Sequence, residues 1–175
     1  MKVCLTMSAF DKPIPMPERA IRSCFEVMLS DEESGQITSF YNPWITVALI
    51  ISNLRKFGND ALADELHAEF MANAPLMIRK TADKVIRFRR DDGSYSYGPL
   101  GCCRTSQGAP VAAPGSCEGD INGNCLATTG VVNNVCRAIG IPTIPFFCHG
   151  DGELFFEIIA ASYPSKKIYP KPESL

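Results

Sequence analysis

The sequence is short of several things at once. It holds two histidines, so any imidazole ligand or imidazole base comes down to His67 and His149. Neither sign of charge dominates: 17 Lys and Arg stand against 19 Asp and Glu, for a formal net charge of −2. No overall field therefore gathers nucleic acid or anionic lipid. Long hydrophobic runs are missing too, and the longest, Trp44–Ile51, is far below the length that spans a bilayer. The opening MKVCLTMSAFDKPIPMPE is broken by prolines and has no apolar core of the signal-peptide kind. Eight cysteines occur without one Cys-x-x-Cys pair. Absent an export signal, they are expected as reduced thiols in a cytoplasmic protein.

What is there reads as helix. At 175 residues, 46% hydrophobic and 21% charged, the chain suits one domain with a real core. Pro13, Pro15 and Pro17 make residues 1–16 an irregular arm. Pro17 then opens a helix with Ile21, Cys24, Phe25, Met28 and Leu29 at helical spacing, ended by the polar run 30–36. Asn42 is expected to cap a second helix with Pro43 in its first turn, and Trp44, Val47, Ile51 and Leu54 in a mostly buried stripe. Gly58 ends it, and Asn59 caps a third that carries Leu62, Leu66, Phe70 and Met71. Pro75 should kink or break that helix, with a restart at Leu76 running toward Arg90. Asp120 caps a further helix through Val131, Val135 and Ile139, stopped by Gly140, with Gly130 pointing to close helix packing. The run 154–161 is read as helix rather than strand, and 162–175 as a tail or linker. The class is all-α, with an arm at 1–16, a helical domain at 17–161 and the tail.

Between Asp91 and Gly119 no period of either kind holds. Loops beyond about 12–15 residues are uncommon in compact domains unless they are functional or disordered. This one carries Tyr95, Tyr97, Leu100 and Val111 with Cys102, Cys103 and Cys117, too many buriable groups for a solvated linker. It is expected to be an ordered loop across one mouth of the helical scaffold. Tyr95 and Tyr97 alternate, so in extended backbone they share a face, either as a sugar-stacking platform or as packing that locks the loop.

The Asp120-Ile-Asn122-Gly-Asn124 spacing matches the start of a calcium loop. It fails where Cys125 stands for the required Gly and Val131 for the bidentate Glu. Capping by Asp120 is the favoured account. Zinc would draw on Cys102, Cys103, Cys117, Cys125, Cys148 and His149, but paired ligand spacing is lacking. No metal or cofactor is expected. The basic cluster Arg79, Lys80, Lys84, Arg87, Arg89 and Arg90 is interleaved with Asp83, Asp91 and Asp92, so it reads as a solvated helix face rather than a nucleic-acid patch.

The turn Asp92-Gly93-Ser94-Tyr95 and the helix opening Asn42-Pro43-Trp44 resemble the α/α-toroid superfamily of terpenoid cyclases, protein prenyltransferases and glycan lyases and hydrolases. The resemblance implies helical hairpins of toroid type, and the number of helices limits them to a partial ring. Toroid-type glycan lyases imply a carboxylate neutraliser, a Tyr or His base and an Arg. The chemically similar groups here make Tyr97, Arg104, Asn122 and His149 the candidate catalytic residues. Tyr95, Gln107, Glu118, Asp120 and Asn124 are the candidate ligand-binding ones. The acid motif of triterpene cyclases and the zinc ligands of prenyltransferases have no match. Two functions stay open: a carbohydrate-active lyase or hydrolase, and a non-catalytic ligand-binding or scaffolding domain, part of a larger toroid. A glycan or small molecule is the expected ligand, with no nucleic acid or membrane. Exposed apolar faces of the end helices imply association with another domain or chain.

Overall fold

The computed structural model describes residues 1–101, 105–106, 109–110, 119–143 and 149–162. Its helices are α1 (Lys2–Ala9), α2 (Pro17–Leu29), α3 (Thr38–Lys56), α4 (Asp60–Val85), α5 (Ile121–Cys125), α6 (Asn133–Ile139) and α7 (His149–Ser162). A 3-10 turn covers Ile86–Phe88, and a π-helical stretch, Leu126–Val132, joins α5 to α6. Among the described residues, β structure is limited to two isolated bridges and an antiparallel pair, β1 (Thr105–Ser106) and β2 (Ala109–Pro110). The class is all-α. No helix of the described residues is long and apolar enough to cross a membrane. The chain divides into two compact units, Met1–Ile144 and Pro145–Leu175. The second contains α7, which is helical through 154–161 as the sequence implies.

Within the first unit the helices form two layers. α2 and α4 lie side by side in the same direction. Arg22 meets Glu69 at 3.5 Å and Phe25 stacks on Phe70 at 5.8 Å, while further along both helices Lys80 pairs with Asp31. α3 runs against them: Trp44 sits edge-on to Phe70 and donates its indole N–H to Thr81 Oγ1 at 3.1 Å. At its other end Arg55 pairs with Asp64. The segment from α5 to α6 runs parallel to α3. Ala127 and Val131 share an apolar cluster with Ile37 and Phe40 at the start of α3, whereas Ala138 joins Trp44, Val47, Ile50 and Leu54 in the main core.

Three sequence expectations change. Residues 1–16 are not irregular throughout, because Lys2–Ala9 is helical with Cys4 buried in the main core. Its docking against α3 supplies what a short isolated helix lacks. α3 begins at Thr38 rather than after Asn42, and Pro43 lies inside it. Burial of Ile37 and Phe40 carries the helix across the proline. Pro75 likewise leaves α4 unbroken. The Met71 carbonyl loses its helical partner there, but Met71 is 41% exposed and solvent reaches that side, while Ala74 and Met77 continue the core stripe.

The π-helical stretch has a local cause. Thr128 and Thr129 donate their hydroxyls to the carbonyls of Asn124 and Cys125 at 2.7 and 2.8 Å, competing with the backbone ladder at two successive positions. Gly130 does not mark close packing between helices. A Cβ there would meet Leu126 and Cys125 of its own helical run.

Buried Asn53 fastens the segment after α1. Its Oδ1 accepts from the Ile14 N–H at 2.8 Å, and its Nδ2 donates to the Lys12 carbonyl at 3.0 Å. Asn53→Ala leaves that buried N–H without a partner and is expected to destabilise the chain by about 2 kcal/mol. Urea denaturation measures this; a loss under about 0.5 kcal/mol, the range of ordinary surface changes, would mean the contact is idle.

Candidate functional site

The loop singled out by the sequence begins where α4 ends. Gly93 takes a φ of +88°, a conformation glycine adopts without strain, and Asp92 Oδ1 accepts from both the backbone N–H (2.9 Å) and the hydroxyl (2.6 Å) of Ser94. These two bonds hold the Asp92 carboxyl below the usual carboxylate range, the hydroxyl bond contributing most. Arg90 N–H donates to the Ser94 carbonyl at 2.7 Å and Ser96 N–H to the Phe88 carbonyl at 2.9 Å, closing a small hairpin.

Alternation then sorts the side chains. Tyr95 and Tyr97 both pack on the second apolar cluster, as their spacing implies. Ser96 is fully buried, and its Oγ accepts from Arg90 Nε at 2.9 Å. Arg90 also donates to the Gly98 carbonyl at 3.0 Å.

The first turn of α5 grips this hairpin. Asp120 is 2% exposed. Its Oδ1 accepts from the Gly123 N–H at 2.6 Å as a helix cap, and its Oδ2 accepts from the Tyr97 N–H at 2.7 Å. Asn124 Oδ1 accepts from the Tyr95 N–H at 2.8 Å, and the Asp120 N–H donates to the Tyr95 carbonyl at 3.0 Å. Ser94 Oγ accepts from Gly119 N–H at 2.7 Å. Tyr97 also reaches the start of α3: its carbonyl accepts from Ile37 N–H at 3.1 Å and its hydroxyl donates to Gln36 Oε1 at 3.2 Å. The hairpin is thus a clasp joining the first turns of α3 and α5.

Of the residues proposed from sequence, Tyr95, Tyr97, Asp120 and Asn124 come together, with half-buried Asn122 on the same turn. Arg104, Gln107 and Glu118 lie outside the described residues. His149 opens α7 in the second unit, and its side chain lies outside the described residues. Both Asp120 oxygens accept backbone N–H groups, which argues for the cap and against a calcium ligand. The cysteines 102, 103, 117 and 148 of the zinc reading are outside the described residues. Among those described, no three His, Cys, Asp or Glu side chains converge on one point. No family model, curated protein or solved structure matches this chain.

Sequence reasoning placed Ser94 only in the Asp92–Tyr95 turn and missed Ser96 and Gly123, although the Ser-Tyr-Ser-Tyr alternation implies a second face. It also missed the cavity at this end of the bundle. A groove of about 550 Å³ opens between α2, the 30–36 connection, the start of α3 and α4. Met28, Phe40 and Pro43 are its buried apolar floor, and Val27, Glu26 and Glu32 stand at its rim. Lys84 reaches in from α4 and donates to the Ser30 carbonyl. Burial, aided by nearby Lys80, lowers the Lys84 pKa against the opposing pull of Asp31 and Glu32. The basic cluster is thereby largely engaged: Lys80 with Asp31, Arg87 with Glu33, Lys84 with Ser30 and Arg90 with Ser96.

The thiols separate by burial. Cys4 and Cys136 are buried, and burial pushes the half-buried Cys24 up to about 11. Cys125 is exposed. Among these four, iodoacetamide at neutral pH is expected to modify Cys125 first, because the thiolate is the reactive form. Peptide mass mapping checks the order, and earlier labelling of Cys24 would contradict it.

Proposed function

We propose that this chain is a recognition domain built from helical hairpins of α/α-toroid type, an arc of a ring rather than a closed one. In this reading the clasp is a brace and not a catalytic loop. One observation carries it: the polar groups of Ser94, Ser96, Asp120 and Asn124 are engaged by backbone and side-chain partners within the clasp. A general acid or base needs a group free to exchange a proton with a ligand. The parallel pairs α2 with α4 and α3 with α6 support stacked hairpins of toroid type.

The carbohydrate-active reading keeps one specific support, the Tyr97 hydroxyl, whose Gln36 contact is at the surface. It would draw on Arg104, Asn122 and His149 as well. Incubation with a panel of uronic-acid and neutral polysaccharides, read as new unsaturated or reducing ends, separates the two. The recognition reading expects no turnover above buffer for the wild type or for Tyr97→Phe. Turnover that Tyr97→Phe abolishes would replace it with the lyase or hydrolase reading.

A further inference from the structure

We propose that the groove between α2 and α4 docks a basic peptide segment of a partner protein, held by Glu26 and Glu32. The inference rests on the recognition reading and gives its ligand a chemical class. The groove's volume of about 550 Å³ is in the range of sites that enclose a ligand. Its floor is apolar and its rim acidic, the arrangement that takes a lysine or arginine side chain lengthwise. The methylene stem lies over Val27, Phe40 and Pro43 while the charged head stays at the rim.

Charge complementarity selects the occupant. Three carboxylates, Glu26, Glu32 and Glu33, line the groove against one cation, Lys84, which is tethered to the Ser30 carbonyl; Lys80 and Arg87 pair with Asp31 and Glu33. Among the described residues the carboxylates of Glu26 and Glu32 form no direct ion pair, and Glu32 acts on Lys84 only from a distance. They come from two different elements, α2 and the connection after it, so a segment lying along the groove meets one after the other. An anionic ligand would face these two acids with a single, already tethered lysine to attract it.

The test is fluorescence anisotropy of fluorescein-labelled hexa-arginine against the whole chain, with hexa-glutamate as the control probe. Saturable hexa-arginine binding that weakens with added salt is expected. Glu26→Gln combined with Glu32→Gln should weaken it roughly tenfold. Asp60→Asn with Glu65→Gln, at the far end of α4, should change it less than about twofold. Val27→Arg, at a position 51% exposed, blocks the groove without disturbing the core and should abolish binding. Thermal melts of each variant confirm that all are folded. Equal losses in the two paired variants, no saturation by about 1 mM, or hexa-glutamate binding as well as hexa-arginine would overturn the proposal. So would a dimer, seen by sedimentation, that Val27→Arg disrupts, since the groove would then belong to a second copy. If hexa-arginine fails while the polysaccharides remain intact, only the ligand class falls; turnover dependent on Tyr97 removes the recognition reading itself.

Discussion

Gly123→Ala is expected to be among the most damaging single substitutions in this chain, although it adds one methyl group in the first turn of a helix. The added Cβ would sit 2.3 Å from the carbonyl carbon of Ser96, 2.5 Å from Tyr95 O and 2.6 Å from Ser96 Cα. All three are backbone atoms, so no side chain can swing aside. Either α5 or the hairpin must move, and moving either stretches the bonds to Asp120 and Asn124. A loss of about 3 kcal/mol follows from overpacking plus disrupted buried hydrogen bonds, which lowers the melting temperature by about 6–12 °C. Gly130→Ala, seven residues along, is the natural control. Its Cβ would meet nothing closer than Leu126 Cδ2 at 3.4 Å, and alanine favours helix over glycine by about 1 kcal/mol. That variant should melt at or slightly above the wild-type temperature. Equal melting temperatures for the two would mean that the close approach at Gly123 is not a real constraint.

Asp120→Ala should cost a similar amount by a different route. A pure helix cap contributes about 1 kcal/mol, but here each carboxylate oxygen takes a separate backbone N–H. Hydrogen bonds to a charged acceptor contribute about 1.5–3 kcal/mol each, and the Gly123 donor left behind is buried. The expected loss is about 3 kcal/mol, read from urea denaturation. Asp120→Asn keeps one acceptor oxygen and turns an amide N–H toward the other donor, so it should fall between wild type and alanine. A measured loss near 1 kcal/mol for alanine would show that the Tyr97 bond contributes nothing. Combining Gly123→Ala with Asp120→Ala should cost less than the sum, since both open the same clasp.

Much of the fold was legible because helical periods survive tertiary packing. The stripes Ile21-Phe25-Met28 and Trp44-Val47-Leu54 are buried as read, and Pro17, Gly58 and Gly140 sit at the ends they were assigned. Pro43 and Pro75 misled because a helix interior proline costs about 3 kcal/mol locally, a sum that burial of Phe40, Ala74 and Met77 offsets from outside the local sequence. α1 gave no signal, since only Cys4 and Met7 turn toward the core. At the site, the cap was visible in Asp120 and the shared face in Tyr95 and Tyr97. The second bond of Asp120 was not, because its donor lies 23 residues away. The groove was invisible for the same reason: its walls come from residues 26 to 84, and only the fold brings them together.

The π-helical stretch sets the phase of α6, which continues it. Residues 127, 131, 134, 136 and 138 are buried, and of these Ala127 and Val131 meet one apolar cluster beside α3 while Ala138 meets the other. Driving Leu126–Val132 into ordinary α-helical turns with every residue kept would turn α6 by about 100°, swinging Ala138 out of the core and Arg137 toward its place. Removing one residue at the same time would leave α6 close to its present phase. A more regular helix of the same sequence would therefore be a worse fit, and the wide turn behaves as a shim.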